Sequence, residues 1–174
     1  MSKPQQKQDS TSRLYLAIWP DRDTQNRLQS MGHTWTWPPG AVVTRPEALH
    51  LTLHFLGDVA DQRIPELIQG LQVPVRPFDL LLSRHQLSDS GIAVLKPNSI
   101  PAELKVLHAW LDETLHGLGM PTKHRTYRPH VTFARNAAGA IPPTTQQIQP
   151  VLWHVNGYAL VKSDHGYSIL HNYH

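Results

Sequence analysis

The sequence predicts a mixed α+β fold made of two similar lobes. Seven segments have the composition of β-strands and three have the periodicity of helices, and their order does not alternate strictly between the two types. The pattern His, apolar, Thr, apolar occurs as HLTL at 50–53 and again as HVTF at 130–133, eighty residues later. Both copies lie in predicted strands, so we expect each lobe to contribute one of them.

The first half of the chain predicts two strands and two helices. RLYLAIW at 13–19 is rich in aromatic and β-branched residues and is followed by a proline, which is typical of a strand that ends there. DRDTQNRLQSMG at 21–32 opens with a capping aspartate and predicts a helix. HLTLHFLG at 50–57 predicts a strand ended by its glycine, and residues 61–71 place four apolar side chains on one helical face.

The second half of the chain predicts five strands and the longest helix. Residues 102–119 carry leucines at helical spacing and end near a glycine, which indicates an amphipathic helix packed on a core. The predicted strands are residues 77–88 and 91–97, joined by a turn, then 127–135, and finally 151–163 and 166–174, which close the chain.

Composition limits the setting in which the protein works. The chain has 174 residues and no cysteine, which excludes disulfides and thiolate metal sites. Its net charge of +3 permits a polyanionic ligand without demanding one. No apolar run approaches the roughly 20 residues of a membrane helix, and the N-terminus has no signal-peptide pattern. We therefore expect a disordered tail at 1–12, a single domain at 13–174, no membrane association, a cytoplasmic location and a monomer.

The strand at 50–57 presents histidines where a surface strand usually carries lysine, glutamate or threonine. Successive side chains of a strand point to opposite faces, so residues of equal parity share a face. The predicted faces are an apolar one (Leu51, Leu53 and Phe55) and a polar one (His50, Thr52 and His54).

Two His-x-Thr strands that face each other across a cleft suit displacement at phosphorus. The attacking and leaving oxygens lie on opposite sides of the phosphorus, so one neutral imidazole can take a proton from water while a protonated one gives a proton to the departing oxygen. Each such step contributes about 10²–10⁴-fold to the rate. Threonine hydroxyls can donate to the non-bridging oxygens, where charge gathers, and no metal is needed.

HLTLHFLG at 50–57 and RPHVTFAR at 128–135 resemble the paired motifs of the 2H phosphoesterase superfamily, and within it the RNA 2′,3′-cyclic phosphodiesterases, or 2′-5′ RNA ligases. The strand at 13–19 and the terminal GYSILHNY add weaker support, so the resemblance covers nearly all of residues 13–174. It implies two antiparallel sheets with outer helices and an active-site groove between the two pseudo-symmetric lobes. It also implies hydrolysis of an RNA 2′,3′-cyclic phosphate to a 2′-phosphate, without a cofactor, and the reverse 2′-5′ ligation as a further possibility.

The resemblance assigns roles to five residues. His50 is implied to be the acid that protonates the leaving 3′ oxygen, and His130 the base that activates water. Thr52 and Thr132 are implied to hold the phosphoryl oxygens, and Arg135 to contact the phosphate. Strand alternation places Arg135 and His130 on opposite faces, so Arg135 reaches the phosphate only if a bulge or bend intervenes.

Other histidines and tryptophans favour structural roles. His50 and His54 are about 13 Å apart on a strand, which is too far to share a zinc ion, so we predict no metal and interpret His54 as a groove-lining or solvent-facing residue. Trp35 and Trp37 precede the first motif; they could stack on a base, although packing on their own lobe is the more common arrangement.

Three alternatives stay open from the sequence. The groove could bind nucleotides or RNA ends without turning them over. It could act on another phosphodiester, such as a cyclic nucleotide or a 2′-5′ oligoadenylate. A histidine-rich metal hydrolase is a third alternative, which a chelator would reveal.

Overall fold

The computed structural model describes residues 9–120, 122–123 and 125–174, and within them the fold is mixed α+β, as predicted. Most of the predicted tail lies outside these residues, and Thr11 and Ser12 already belong to the first strand. No described helix is long and apolar enough to cross a membrane. The elements are β1 (Thr11–Ile18), α1 (Arg22–Gly32), β2 (Val42–Val43), β3 (Leu51–Ala60), α2 (Ile64–Gly70), β4 (Phe78–Leu87), β5 (Ala93–Pro97), α3 (Ala102–Gly117), β6 (Val131–Arg135), β7 (Val151–Val155), β8 (Tyr158–Lys162) and β9 (Ser168–Tyr173).

The nine strands form two antiparallel arrays that meet at one point. The strand order is β7-β4-β5-β6-β3-β1-β8-β9, and β2 pairs with β6 beside this path. Within the described residues β3 and β6 pair only at Leu51 opposite Val131, whereas β1 and β3 pair along eight residues. The two predicted sheets are therefore continuous, but the connection between them is a single residue pair.

The helices cover one face of the sheet and leave the other free for a site. The leucine stripe of α3 is buried as predicted, and Asp21 caps α1 by accepting a hydrogen bond of 2.8 Å from the Thr24 amide. A small second cluster lies on the other face, where Tyr15 and Ala17 of β1 pack against two residues of β8. Alternation along β1 thus sends Leu14 and Leu16 to the main core and Tyr15 and Ala17 to the opposite face.

The prediction of one strand at 151–163 is wrong, because the segment forms two strands in different arrays. β7 pairs with β4 at one end of the sheet, and β8 pairs with β1 in the other array. The chain turns at Gly157, where a Cβ atom would lie 2.2 Å from the carbonyl oxygen of Tyr173, so only glycine fits. The short strand β2 was also not predicted, since two valines carry no periodicity.

β3 does not keep the predicted division of faces, because two bulges interrupt its pairing with β1. The register steps from Ala17 opposite Thr52 to Leu16 opposite His54, which leaves Leu53 without a partner. His54 consequently turns inward and is only 8% exposed, while Phe55 is 71% exposed. The prediction that His54 faces the groove or solvent is wrong, as is the prediction that Phe55 joins the buried face.

The second bulge explains why β3 runs three residues past its predicted end. Leu14 pairs with Gly57 and Tyr15 pairs with Phe55, so the bulge skips one residue on β3. Gly57 has a φ of 76°, a backbone conformation that glycine adopts without strain. It therefore serves the bulge, and the strand continues to Ala60.

The bulge expected in β6 is present. β5 advances by one residue from Ala93 to Val94 while β6 moves by two, from Ala134 to Thr132, so Phe133 has no partner on β5. This extra residue reverses the alternation of faces and brings Arg135 to the same side as Thr132.

The tryptophans before the first motif pack against protein, but on the array of strands that contains the second motif. Trp35 is buried, stacks on Trp37 with ring centroids 5.1 Å apart, and donates a hydrogen bond of 2.8 Å from Nε1 to Nδ1 of His85. Neither tryptophan lines the groove described below.

Candidate active site

Both His-x-Thr motifs lie where the two arrays of strands meet. The antiparallel register centred on Leu51 and Val131 brings His50 alongside Thr132, and Thr52 alongside His130. The two copies are thus related by an approximate two-fold axis through the one residue pair that joins the arrays. This symmetry is the three-dimensional counterpart of the repeated sequence pattern.

A groove with a volume of about 430 Å³ surrounds this junction. All five residues to which the sequence assigned roles line it, although those residues come from segments 80 positions apart. The full lining is Arg13, Tyr15, Thr44, Ala48, His50, Thr52, Phe55, His130, Thr132, Arg135, Ser163 and Tyr167.

The His50 ring is held on both of its nitrogens and on its flat face. Its Nδ1 lies 2.7 Å from the carbonyl oxygen of Ala48, and its Nε2 lies 3.1 Å from the hydroxyl of Thr52. The ring of Trp19 stacks on it with centroids 4.9 Å apart and planes 2° from parallel. These contacts bury much of the ring, and burial lowers the pKa of His50, with His130 and Arg135 lowering the same pKa through their positive charge.

The His130 ring is held through its Nδ1 as His50 is, but it is exposed. Its Nδ1 lies 2.8 Å from the carbonyl oxygen of Arg128, the residue two positions earlier, as Ala48 is to His50. A carbonyl only accepts, so Nδ1 carries a proton in both rings. Each Nε2 is therefore the atom that gains or loses a proton in the groove.

Aromatic residues that the sequence did not predict surround His50. No functional residue was expected in the first strand, yet Trp19 and Tyr15, at the end and middle of that segment, both contact the His50 ring. Tyr167, from the turn before β9, lies 5.8 Å from His50 and 6.1 Å from Tyr15, between ring centroids. Only the density of aromatic residues in the first strand could have pointed to this role.

The hydroxyl of Tyr15 is buried and makes no hydrogen bond to any described residue. Burial raises the pKa of Tyr15, with the neighbouring Tyr167 adding to the effect, so the hydroxyl stays protonated. An unused donor beside His50 is suited to a polar ligand in the groove.

A wider pocket of about 800 Å³ continues from the groove and shares Thr44, Ala48, Arg135 and Tyr167 with it. Its wall combines exposed apolar side chains, among them Val42 and Ile169, with cationic ones. The groove and this pocket together offer room for more than a phosphate group.

Nothing in the described ranges is arranged as a metal centre. No group of three or more histidine, aspartate or glutamate side chains is placed to hold an ion within residues 9–120, 122–123 and 125–174. A reaction without a metal stays a prediction, which a chelator tests.

A sequence profile of the 2′-5′ RNA ligase superfamily matches residues 32–166. The chain belongs to this superfamily. The match covers both motifs and confirms the resemblance drawn from them, so the protein is a member of the 2H phosphoesterases.

Two relatives carry the name RNA 2′,3′-cyclic phosphodiesterase. The one from Methanocaldococcus jannaschii is 26% identical over 125 residues, which are 71% of this chain and 70% of the relative. The one from Thermus thermophilus is 28% identical over 134 residues, 68% of this chain, and the match spans 65% of that relative's length, just under two thirds.

Solved structures confirm the fold of this superfamily member. A crystal structure described as a phosphoesterase superposes with a TM-score of 0.81 at 23% identity, covering 94% of this chain and 97% of the other. Escherichia coli LigT in complex with 3′-AMP superposes with a TM-score of 0.77 at 22% identity, with the same coverage.

Proposed function

We propose that this 2H phosphoesterase hydrolyses RNA 2′,3′-cyclic phosphate ends to 2′-phosphates. The observation that carries the proposal is the pair of imidazoles in one groove, each with Nδ1 bound to a backbone carbonyl, which leaves Nε2 as the nitrogen for proton transfer; Nε2 of His50 also contacts the Thr52 hydroxyl. The names of the two relatives support the same activity.

In the proposed reaction, a water oxygen attacks the phosphorus and the bond from phosphorus to the 3′ oxygen breaks. Nε2 of His130 takes a proton from the water, and protonated Nε2 of His50 gives a proton to the 3′ oxygen. The product carries a 2′-phosphate and a 3′ hydroxyl. Thr52, Thr132 and Arg135 neutralise the charge on the non-bridging oxygens, where it develops during displacement.

The environment of His50 makes its role as the acid depend on the substrate. Burial lowers its pKa and so disfavours the protonated ring in the empty groove. A phosphate anion bound between the two motifs has the opposite effect, because a nearby negative charge favours the imidazolium. Binding of the substrate thus supplies the proton-bearing form that the reaction needs.

The groove favours an RNA end over an isolated phosphate. Phe55 and Tyr167 present exposed aromatic faces beside the motifs, and aromatic faces stack on nucleobases without much sequence preference. Arg135 and Arg45 line the adjoining pocket, where they can meet further phosphates of the strand. Joining a 2′,3′-cyclic phosphate to a 5′ hydroxyl breaks the same bond to the 3′ oxygen, with the 5′ hydroxyl attacking in place of water to form a 2′-5′ linkage (the reverse of cleaving that linkage), and water, being in excess, favours hydrolysis.

The test is hydrolysis of a short RNA ending in a 2′,3′-cyclic phosphate, with EDTA present. Wild type should produce a 2′-phosphate end, and His50→Ala and His130→Ala should each reduce kcat by about 10²–10⁴-fold, the usual contribution of one acid or base. The profile of kcat/KM against pH should be bell-shaped, because one ring must be neutral and the other protonated.

Other outcomes discriminate between the alternatives. Binding of the RNA end without turnover by wild type would identify a binding module. Turnover only of cyclic mononucleotides or 2′-5′ oligoadenylates would change the substrate, and loss of activity in EDTA would contradict a reaction without a metal.

A further inference from the structure

Behind the first motif, three aromatic rings form a continuous stack that the proposed chemistry does not use. We call His54, His108 and Tyr127 the ring ladder. The rings of His54 and His108 lie 4.0 Å apart at 22°, and those of His108 and Tyr127 lie 3.8 Å apart at 17°, between centroids. The three residues come from β3, from α3 and from the segment just before β6.

Hydrogen bonds fix both ends of the ring ladder. Nε2 of His54 donates to the carbonyl oxygen of His108 at 2.9 Å, and the Tyr127 hydroxyl donates to the carbonyl oxygen of Thr52 at 3.1 Å. Burial raises the pKa of Tyr127, which keeps the hydroxyl a donor. The bulge at Leu53 makes the arrangement possible, because it turns His54 from the groove towards α3.

The protonation state of the rings is compatible with close stacking. Burial lowers the pKa of His54, and burial together with the charge of His54 lowers the pKa of His108 to about 4. Both imidazoles are neutral at neutral pH, so no charge repulsion opposes the stack.

The ring ladder connects the two motifs where the backbone does so only weakly. β3 and β6 share one residue pair among the described residues, so their pairing alone leaves the angle between the two strands poorly fixed. Tyr127 is three residues before His130, and its hydroxyl binds the carbonyl of Thr52, the threonine of the other motif. The side chain of Tyr127, close to the second histidine in sequence, thus binds the backbone of the first motif.

We propose that Tyr127 is a positioning residue which, supported by His108 and His54, sets the distance between the two catalytic histidines. The inference rests on the proposed function, because the geometry it controls is that of two groups acting on opposite sides of one phosphorus. Small errors in such a geometry reduce the rate steeply, since both proton transfers must be aligned in the same transition state.

The decisive variant is Tyr127→Phe, which removes the hydroxyl and keeps the ring in the stack. Its matched control is Tyr173→Phe, because the Tyr173 hydroxyl also donates one hydrogen bond, of 2.9 Å, to a backbone carbonyl, that of Ile68. Neither Tyr173 nor Ile68 lines the groove. Each variant therefore loses one equivalent hydrogen bond, but only the first loses a link between the motifs.

Turnover of the cyclic-phosphate RNA should separate the two variants. We expect kcat to fall about 3- to 10-fold in Tyr127→Phe, the range of one neutral hydrogen bond, with KM changed less than about twofold. Tyr173→Phe should retain the wild-type kcat while Tm falls similarly in both. Equal kcat in the two variants, or a loss in Tyr127→Phe carried by KM alone, would overturn the positioning role.

A double-mutant cycle tests whether the ring ladder acts as one unit. His108→Leu removes the ring on which Tyr127 stacks, so it should also lower kcat, and the double variant with Tyr127→Phe should be little slower than the slower single variant. Independent multiplication of the two effects would contradict a shared mechanism.

A measurement without turnover separates this inference from the proposed function. Vanadate with uridine adopts the five-coordinate geometry of displacement at phosphorus, and its affinity can be followed by vanadium NMR. Affinity should weaken in Tyr127→Phe relative to Tyr173→Phe by the same factor as kcat. If wild type fails to cleave RNA ends, the proposed function is wrong, and the ratio of the vanadate affinities of the two variants still decides the positioning role. Equal affinities, or no binding by wild type, would overturn the positioning role.

Discussion

The assignment of His50 as the acid can be tested by changing the atom that leaves. With oxygen at the 3′ position, loss of the acid should slow His50→Ala by about 10²–10⁴-fold. With sulfur at that position the leaving group is a thiolate, and a thiol has a pKa of about 8.5, far below that of an alcohol. A thiolate departs without a proton, so the acid becomes unnecessary.

The structure indicates which variant the 3′-thio substrate should restore to activity. Nδ1 of His50 is held by the carbonyl of Ala48, so Nε2 is the only atom of the ring that can protonate the leaving group. His50→Ala should therefore recover to within about tenfold of wild type on the 3′-thio substrate, the remainder reflecting lost packing against Trp19. His130→Ala should stay slow on both substrates, because attack by water still needs a base.

The assay compares kcat/KM of wild type and both variants on the two substrates by stopped-flow detection of free thiol or by product chromatography. The Tm of each variant controls for folding, since an unfolded variant would also be slow on both substrates. Rescue of His130→Ala in place of His50→Ala would reverse the roles, and a result in which neither variant recovers would refute the acid–base mechanism.

Two further predictions follow from the exposure and burial of particular side chains. Phe55→Ala should raise KM for RNA ends at least about 5-fold, because it removes a stacking surface. The free energy of unfolding should stay within about 0.5 kcal/mol of wild type, because Phe55 is 71% exposed. An unchanged KM, or an equal rise in KM in the control Leu152→Ala outside the groove, would contradict this prediction. Burial lowers the pKa of His85 and of His108 to about 4, below the ordinary 6.5, so the unfolded chain binds more protons between these values and stability should fall as pH falls through that window. At pH 5 the dependence of unfolding on pH should report uptake of at least about two protons, because the lowered pKa values of His50 and His54 add to those of His85 and His108, and this uptake should be smaller by about one in His108→Leu. A constant Tm from pH 7 to 5 would show instead that the folded and unfolded chains bind equal numbers of protons, so that burial does not lower these pKa values.

Most of the fold could be predicted because strands and helices carry their own periodicity. The leucine stripe of α3 and the aspartate cap of α1 are local signals, and both are present as predicted. The break between β7 and β8 could not be predicted, because it depends on how closely the backbone at Gly157 approaches Tyr173, a residue 16 positions away. Periodicity describes a residue's neighbours in the chain and carries no information about such distant contacts.

The candidate site was predictable where it rests on a repeated motif and unpredictable where it rests on packing. The family resemblance carried by the two copies of His-x-Thr predicted five residues that do line one groove. The stack of Trp19 on His50 was missed, since nothing in RLYLAIW distinguishes an aromatic residue that packs in the core from one that packs on a histidine of the candidate site. The tautomer of both histidines also required coordinates, because it is set by backbone carbonyls.

The bulges explain both the success and the failure of the arguments from strand parity. In β6 the expected role of Arg135 required a break in alternation, and the unpaired Phe133 provides it. In β3 nothing called for a break, so His54 and Phe55 were assigned to the wrong faces; one unpaired residue, Leu53, exchanges them. The exchange places an aromatic ring in the groove and a histidine under α3, where it stacks on His108. Parity is thus reliable only up to the first bulge. In this protein a bulge follows each His-x-Thr motif directly, so residues after each motif lie on the face opposite to the one that alternation predicts.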